Sequence, residues 1–161
     1  MHHFTTIKLR IDKVLITLLS SLLFTMLFCV CWQVFSRYIL KMPATFTEEL
    51  VRFLLIWVGL LGAAYSFGTH RHLSLTWVYD KFSTKLKFII KIFIIVLIAI
   101  LSIALLIYGG YKLMLIASTQ KSSVLAIPMW IVYAISPISG CLILFYQIYD
   151  FWTLINNKEI L

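Results

Sequence analysis

Four long apolar runs dominate the chain: 14–35, 50–68, 92–111 and 127–149. A helix needs about 20 apolar residues to cross a bilayer, and each run meets that length. The second carries one arginine near its start, and the third carries no charge at all. The pattern predicts an all-α integral membrane protein with four transmembrane helices in a single domain, 1–161. The connectors have patterns of their own. Between spans two and three, Leu75, Val78, Phe82 and Leu86 recur at helical spacing with Lys81, Lys85 and Lys87 among them. That stretch, 73–87, is expected to be an amphipathic helix lying in the interface, its lysines near anionic head groups. Past the third span, apolar character continues to Ala117. This predicts a helix that projects beyond the bilayer and needs protein to cover it.

Composition agrees with lipid as the main solvent. The chain is 62% hydrophobic and 12% charged, where a soluble domain carries about 25% charge. The net charge of +8 does not indicate nucleic acid, because the basic residues sit between apolar runs. There they act as determinants of orientation. Nine lysines and arginines fall in the N-terminal tail, the connector after span two and the C-terminal tail, against five on the opposite side. Both termini and the middle connector are therefore expected in the cytoplasm. Trp32, Tyr38, Tyr108, Tyr111 and Trp130 would belt the outer interface. Trp77, Tyr79, Tyr149 and Trp152 would belt the inner one.

Several chemistries have no residues to carry them. Cys29, Cys31 and Cys141 lie in apolar runs and imply no disulfide framework. The first run is too long for the apolar core of a cleavable signal peptide. No carboxylate falls near a span centre, where it would mark a proton or substrate site. No histidine falls inside a span to ligate haem, and no phosphate-binding loop occurs. His70 and His72 lack a third metal ligand. No enzyme activity, cofactor or metal is expected. The halves show no internal repeat and no matched pair of broken helices of the kind that builds a carrier site. Pro137 interrupts only span four, freeing the carbonyl of Tyr133, with Ser136, Ser139 and Gly140 placed to repack the bend.

The stretch TFTEELVRFLLIWVGLLGAAYSFGTHRH, residues 45–72, concentrates two of the chain's six acids at the mouth of an apolar segment. Thr45 followed by Glu48 reads as a capping box. Glu48 and Arg52 stand at i,i+4 and are expected to pair. Glu49 is rotated about 100° away and is expected to reach Arg37 at the end of span one. Helical phase puts Gly59, Gly62, Ala63 and Ser66 on the face of Glu48 and Arg52. Small residues let helices approach closely in membranes, so this face is expected to pack on protein.

The run WQVFSRYIL, then the stretch from Pro43 through TEELVRFLLIWVGLLGAAYSFGTHRHLSL, then SSVLAIPMWIVYAISPISG, resembles the small membrane subunit of tripartite ATP-independent periplasmic (TRAP) transporters, over residues 14–150. The resemblance implies a three-part system. A periplasmic binding protein captures an organic acid, such as sialic acid, a dicarboxylate or another sugar acid. A large many-span permease subunit carries it inward by sodium symport. The small subunit, in the bacterial inner membrane with both termini inside, scaffolds the permease. Glu48, Glu49, Arg52 and His72 match the family's recurrent polar positions, and Pro128 and Pro137 its prolines. Many members have Asp four residues after that histidine; this chain has Thr76.

Other four-span readings are a small multidrug-type exporter, a quinone-linked disulfide oxidase and a generic membrane assembly factor. The first needs a carboxylate in span one, and the second needs cysteine pairs in outer loops. Both features are absent. The third is not distinguished by residues alone.

Overall fold

The computed structural model describes residues 2–69 and 84–156. Helix α1 runs His2–Tyr38, and α2 runs Thr45–Gly68. Helix α3, Thr84–Leu101, passes into a π-helical stretch, Ser102–Gly109, and then into α4, Gly110–Ile116. A 3-10 turn, Ala117–Thr119, ends that rod. A loop leads to the short α5, Met129–Tyr133, and α6, Ile135–Asn156, follows. Four rods are long and apolar enough to cross a membrane: Thr5–Tyr38, Thr45–Gly68, Leu86–Thr119 and Met129–Ile155. The described residues contain no strand, only an isolated bridge between Lys121 and Pro128. The expected interfacial helix falls largely within 70–83, outside the described residues.

The first and third rods outreach the apolar runs that announced them. At about 1.5 Å per residue, the 37 residues of α1 span about 55 Å, well beyond a hydrocarbon core of about 30 Å. The N-terminal basic segment is therefore a continuation of the span and not a separate tail. The third rod is helical as far as Thr119, as the apolar pattern up to Ala117 indicated. Ala117 is buried, whereas Leu115 and Ile116 remain exposed. Hydroxyls inside α1 bond within their own helix, which is how polar side chains are tolerated in lipid. Thr17 donates to the Lys13 carbonyl at 2.8 Å, Ser21 to Leu18 at 2.8 Å and Thr25 to Ser21 at 2.9 Å.

Helix α2 packs against α1 on one side and α6 on the other, and α6 packs in turn on α3 and the π stretch. Leu15, Leu19, Leu61, Ile135 and Tyr146 form the shared core, with Trp57, Val58 and Tyr65 packed around it. Two glycine contacts set how closely the third and fourth rods approach. A Cβ on Gly110 would lie 2.6 Å from Ser136 Oγ and 2.9 Å from the Pro137 ring. A Cβ on Gly140 would lie 2.9 Å from Leu106 Cβ. Ser136 also donates to the Leu106 carbonyl within the π stretch at 3.2 Å. Small residues thus bring the third and fourth rods together, the usual device of helix association in lipid. The sequence suggested an unbroken third span. The π stretch has its close contacts on α6, beside Pro137, a residue type that disturbs regular helix.

The break before Pro137 falls at Ala134, between α5 and α6. Ser136, Ser139 and Gly140, the residues expected to repack the bend, bond and pack there. Ser139 bonds to Ser136 O at 2.9 Å, and Ser136 reaches across to Leu106. It is Trp57, from α2, that donates its indole N–H into the break, to the carbonyl of Val132 at 3.2 Å.

Candidate functional site at the turn end of the bundle

Helices α1 and α2 are joined by residues 39–44, a tight turn that includes Lys41 at φ 53°. Ser36 closes the turn by donating to the Met42 carbonyl. The turn places the last residues of α1 beside the first residues of α2. Ala44 occupies the position before α2, and its side chain offers no cap. Thr45 is the first helical residue, so the capping box read from the sequence does not form. Thr47 instead returns its hydroxyl to the Ala44 carbonyl at 2.8 Å.

The charged residues here are the expected ones, but their partners are exchanged. Arg37 Nη2 meets Glu48 Oε1 at 2.8 Å, across the turn. Helical spacing pairs Arg52 with Glu48 and leaves Arg37 for Glu49; the structure pairs Arg37 with Glu48. Arg52 makes only a long contact, 3.5 Å, from Nε to the backbone carbonyl of Glu48. Its guanidinium is exposed. The physical reason is local. The side chain of Glu48 points toward α1, where the turn has delivered a cation, and away from the next turn of its own helix.

Glu49 serves a different purpose. Its carboxylate accepts N–H groups from Ser123 at 3.1 Å, Val124 at 3.0 Å and Leu125 at 2.7 Å, and the Ser122 hydroxyl at 3.0 Å. Three successive backbone donors around one anion form a nest of the kind that binds phosphate elsewhere. Here a side chain of the same molecule fills it. The loop is further closed by Ser122 N to Ile127 O at 2.9 Å and Met129 N to Gln120 O at 2.9 Å. Ala126 adopts a φ of 53° to make the turn, and Pro128 opens α5. One carboxylate thus ties α2 to the loop that leads into α5.

The small residues below this cluster split between two environments. Gly59 and Gly62 have nothing within 4 Å of where a Cβ would stand. Ala63 and Ser66 are half-buried. The close packing of α2 inside the bundle uses Leu61, Ala64 and Gly68 instead. The face carrying Gly59 and Gly62, with Arg52 above it, is therefore turned away from the other described helices. His70 and His72 lie outside the described residues.

A second cluster, at the opposite end, was not foreseen. Tyr146 is fully buried and donates to Asp12 Oδ1 at 2.6 Å. Lys8 approaches Asp12 Oδ2 at 3.9 Å and lies over the Tyr149 ring. Gly68 at the foot of α2 admits the Tyr146 ring, which a Cβ would meet at 2.5 Å. This cluster joins the N-terminal part of α1 to the C-terminal half of α6 and the end of α2. Its sequence signals were an acid inside a basic segment and a tyrosine inside an apolar span. Among the described residues no group of three His, Cys, Asp or Glu side chains comes together as a metal site.

Comparison with known proteins gives the setting for this geometry. The family model described as "Tripartite ATP-independent periplasmic transporters, DctQ component" matches residues 26–157. A TRAP transporter small permease protein of Haemophilus influenzae is 29% identical over 133 residues, covering 83% of this chain and 82% of the relative. The sialic acid TRAP transporter small permease protein SiaQ of Vibrio cholerae is 32% identical over 83 residues, covering 50% of this chain and 46% of the relative.

Proposed function

We propose a scaffolding role from one premise: this chain belongs to the DctQ component family of tripartite ATP-independent periplasmic transporters, as a small permease subunit. In this reading it sits in the bacterial inner membrane with both termini in the cytoplasm. It holds a large many-span permease subunit in a working position. That partner, with a periplasmic binding protein, carries out sodium-coupled uptake of an organic acid. The acid is a sialic acid, a dicarboxylate or another sugar acid; a relative carries sialic acid in its name. The chain itself performs no chemistry on the acid.

The observation that carries this reading is the open face of α2. Gly59 and Gly62 stand with unfilled space beside them, under an exposed Arg52 with no carboxylate partner among the described residues. In lipid, glycine on a helix surface gains nothing from acyl chains and gains close contact from another helix. The described carboxylates, Asp12, Glu48, Glu49 and Asp150, all lie toward helix ends and leave the span centres apolar. That arrangement favours a support over a conduit. The test is co-purification with the large subunit, together with uptake in vesicles. Gly59→Leu and Gly62→Leu should both weaken co-purification and lower uptake in parallel. Sodium-driven accumulation of an organic acid by vesicles holding this chain alone would overturn the reading.

A further inference from the structure

The N-terminal half of α1 carries a shallow surface trough, wide open on its outer side, of about 610 Å³, lined by Arg10, Lys13, Val14, Thr17, Leu18 and Ser21. These six positions are spaced at three and four residues, so they form one face of a single helix. That face is distinct from the one through Leu15 and Leu19, which is buried in the core.

The groove is graded along its length. At one end Arg10 and Lys13 are exposed, with no ion-pair partner among the described residues. From there toward the bilayer centre it becomes apolar. Val14 is exposed, as is Leu18. Thr17 and Ser21 have already committed their hydroxyl protons to the carbonyls of Lys13 and Leu18. They offer an acyl chain methyl and methylene surface and no unmet donor. From Arg10 to Ser21 is a rise of about 16 Å, close to one leaflet's share of a hydrocarbon core of about 30 Å. Two free cations at head-group depth, continued by an apolar trough one leaflet long, match a molecule with an anionic head and an acyl tail.

We propose that this groove holds one anionic glycerophospholipid. Its phosphodiester lies between the Arg10 guanidinium and the Lys13 ammonium, and one acyl chain runs along Val14, Thr17, Leu18 and Ser21. The geometry does not depend on which leaflet faces the cytoplasm, and it stands or falls separately from the scaffolding role. The lipid would fill a face of α1 that the chain's other described helices leave uncovered.

The test is native mass spectrometry of the full-length chain in a zwitterionic detergent. Phosphatidylglycerol and phosphatidylcholine of matched acyl length are titrated in separate arms. The expected result is saturable retention of one phosphatidylglycerol, with phosphatidylcholine held more weakly. The double variant R10A/K13A should lose about twenty-fivefold in phosphatidylglycerol affinity, about fivefold for each cation. The charge-keeping swap R10K/K13R should retain it. Leu18→Trp should reduce retention with both cations intact, because the ring occupies the trough. Equal retention of the two lipids would overturn the proposal, as would an R10A/K13A variant that binds like the parent or a swap that binds as poorly as the double alanine. Displacement by glycerol phosphate at the lipid's own concentration would assign the site to a free phosphate and also overturn it.

Discussion

Tyr146, fully buried on α6, donates its phenolic proton to Asp12 on α1 at 2.6 Å, across 134 positions of sequence. Asp12 keeps a second, weaker neighbour in Lys8 at 3.9 Å. A hydrogen bond to a charged acceptor contributes about 1.5–3 kcal/mol. Tyr146→Phe preserves the ring that fills the space above Gly68 and removes only the donor. The variant should lose that amount of stability, read as a lower midpoint of thermal unfolding in detergent. Asp12→Asn keeps an acceptor oxygen in place and should lose less. If Asp12→Asn proves as damaging as Tyr146→Phe, the charge and not the bond is what holds this end together.

The turn end separates two adjacent acids by what they hold. Glu48 faces Arg37, whose side chain is 62% exposed. Pairs of that kind contribute about 0.2–1 kcal/mol. Glu49 gathers three backbone N–H groups and one hydroxyl. Glu49→Gln turns an amide donor toward those donors and should release the 120–128 loop. Hydrogen exchange should accelerate strongly at Ser123, Val124 and Leu125 in Glu49→Gln and change little there in Glu48→Gln. Matching exchange profiles in the two variants would refute the division.

Glycines on the two faces of the bundle should respond in opposite ways. At Gly110 an added methyl meets Ser136 Oγ at 2.6 Å and the Pro137 ring at 2.9 Å. Overpacking a close contact costs about 1–3 kcal/mol. Gly110→Ala should therefore lower thermal stability. At Gly59 and Gly62 an added methyl meets nothing within 4 Å. Gly59→Ala and Gly62→Ala should leave the isolated chain as stable as before. Any defect they cause should surface only in the assembled transporter. Loss of stability in the isolated chain for these two variants would place their faces inside the bundle.

These variants also mark where the sequence was legible. The four spans were, because apolar runs of bilayer length have no other common use. The cluster at the turn end was legible as a set of residues and not as a set of bonds. Helical phase on α2 relates Glu48 to Arg52, but it contains no term for the turn at 39–44 that swings Arg37 alongside. Glu49 chose backbone donors, and a backbone N–H has no residue identity to read. The Asp12–Tyr146 bond joins the first helix to the last, and no local pattern links them. The π stretch left only the Gly109–Gly110 pair as a trace. The residues that contact it and the glycine after it, Ser136, Pro137 and Gly140, lie on the facing helix and not in its own sequence.

Arg52 carries the last prediction. In the sequence it belonged to Glu48, and removing it would have cost the chain an internal ion pair. In the structure Glu48 is held by Arg37, and Arg52 has only a 3.5 Å contact to a backbone carbonyl. The isolated chain should therefore tolerate Arg52→Ala with little change in thermal stability. A cation at a membrane interface still prefers a partner. The open face beneath it is the one proposed to meet the large subunit, so a carboxylate or carbonyl of that subunit is the expected partner. Removing the cation then leaves that group desolvated and underpaired, which costs more than losing a solvated surface pair. Arg52→Ala should weaken co-purification and lower uptake, while the apparent sodium affinity and the choice among acids stay as they were. Arg52→Lys should restore part of the assembly, since the charge returns without the planar fork. An intact complex with altered sodium coupling would make Arg52 part of the transport cycle and would end the scaffolding account of this residue.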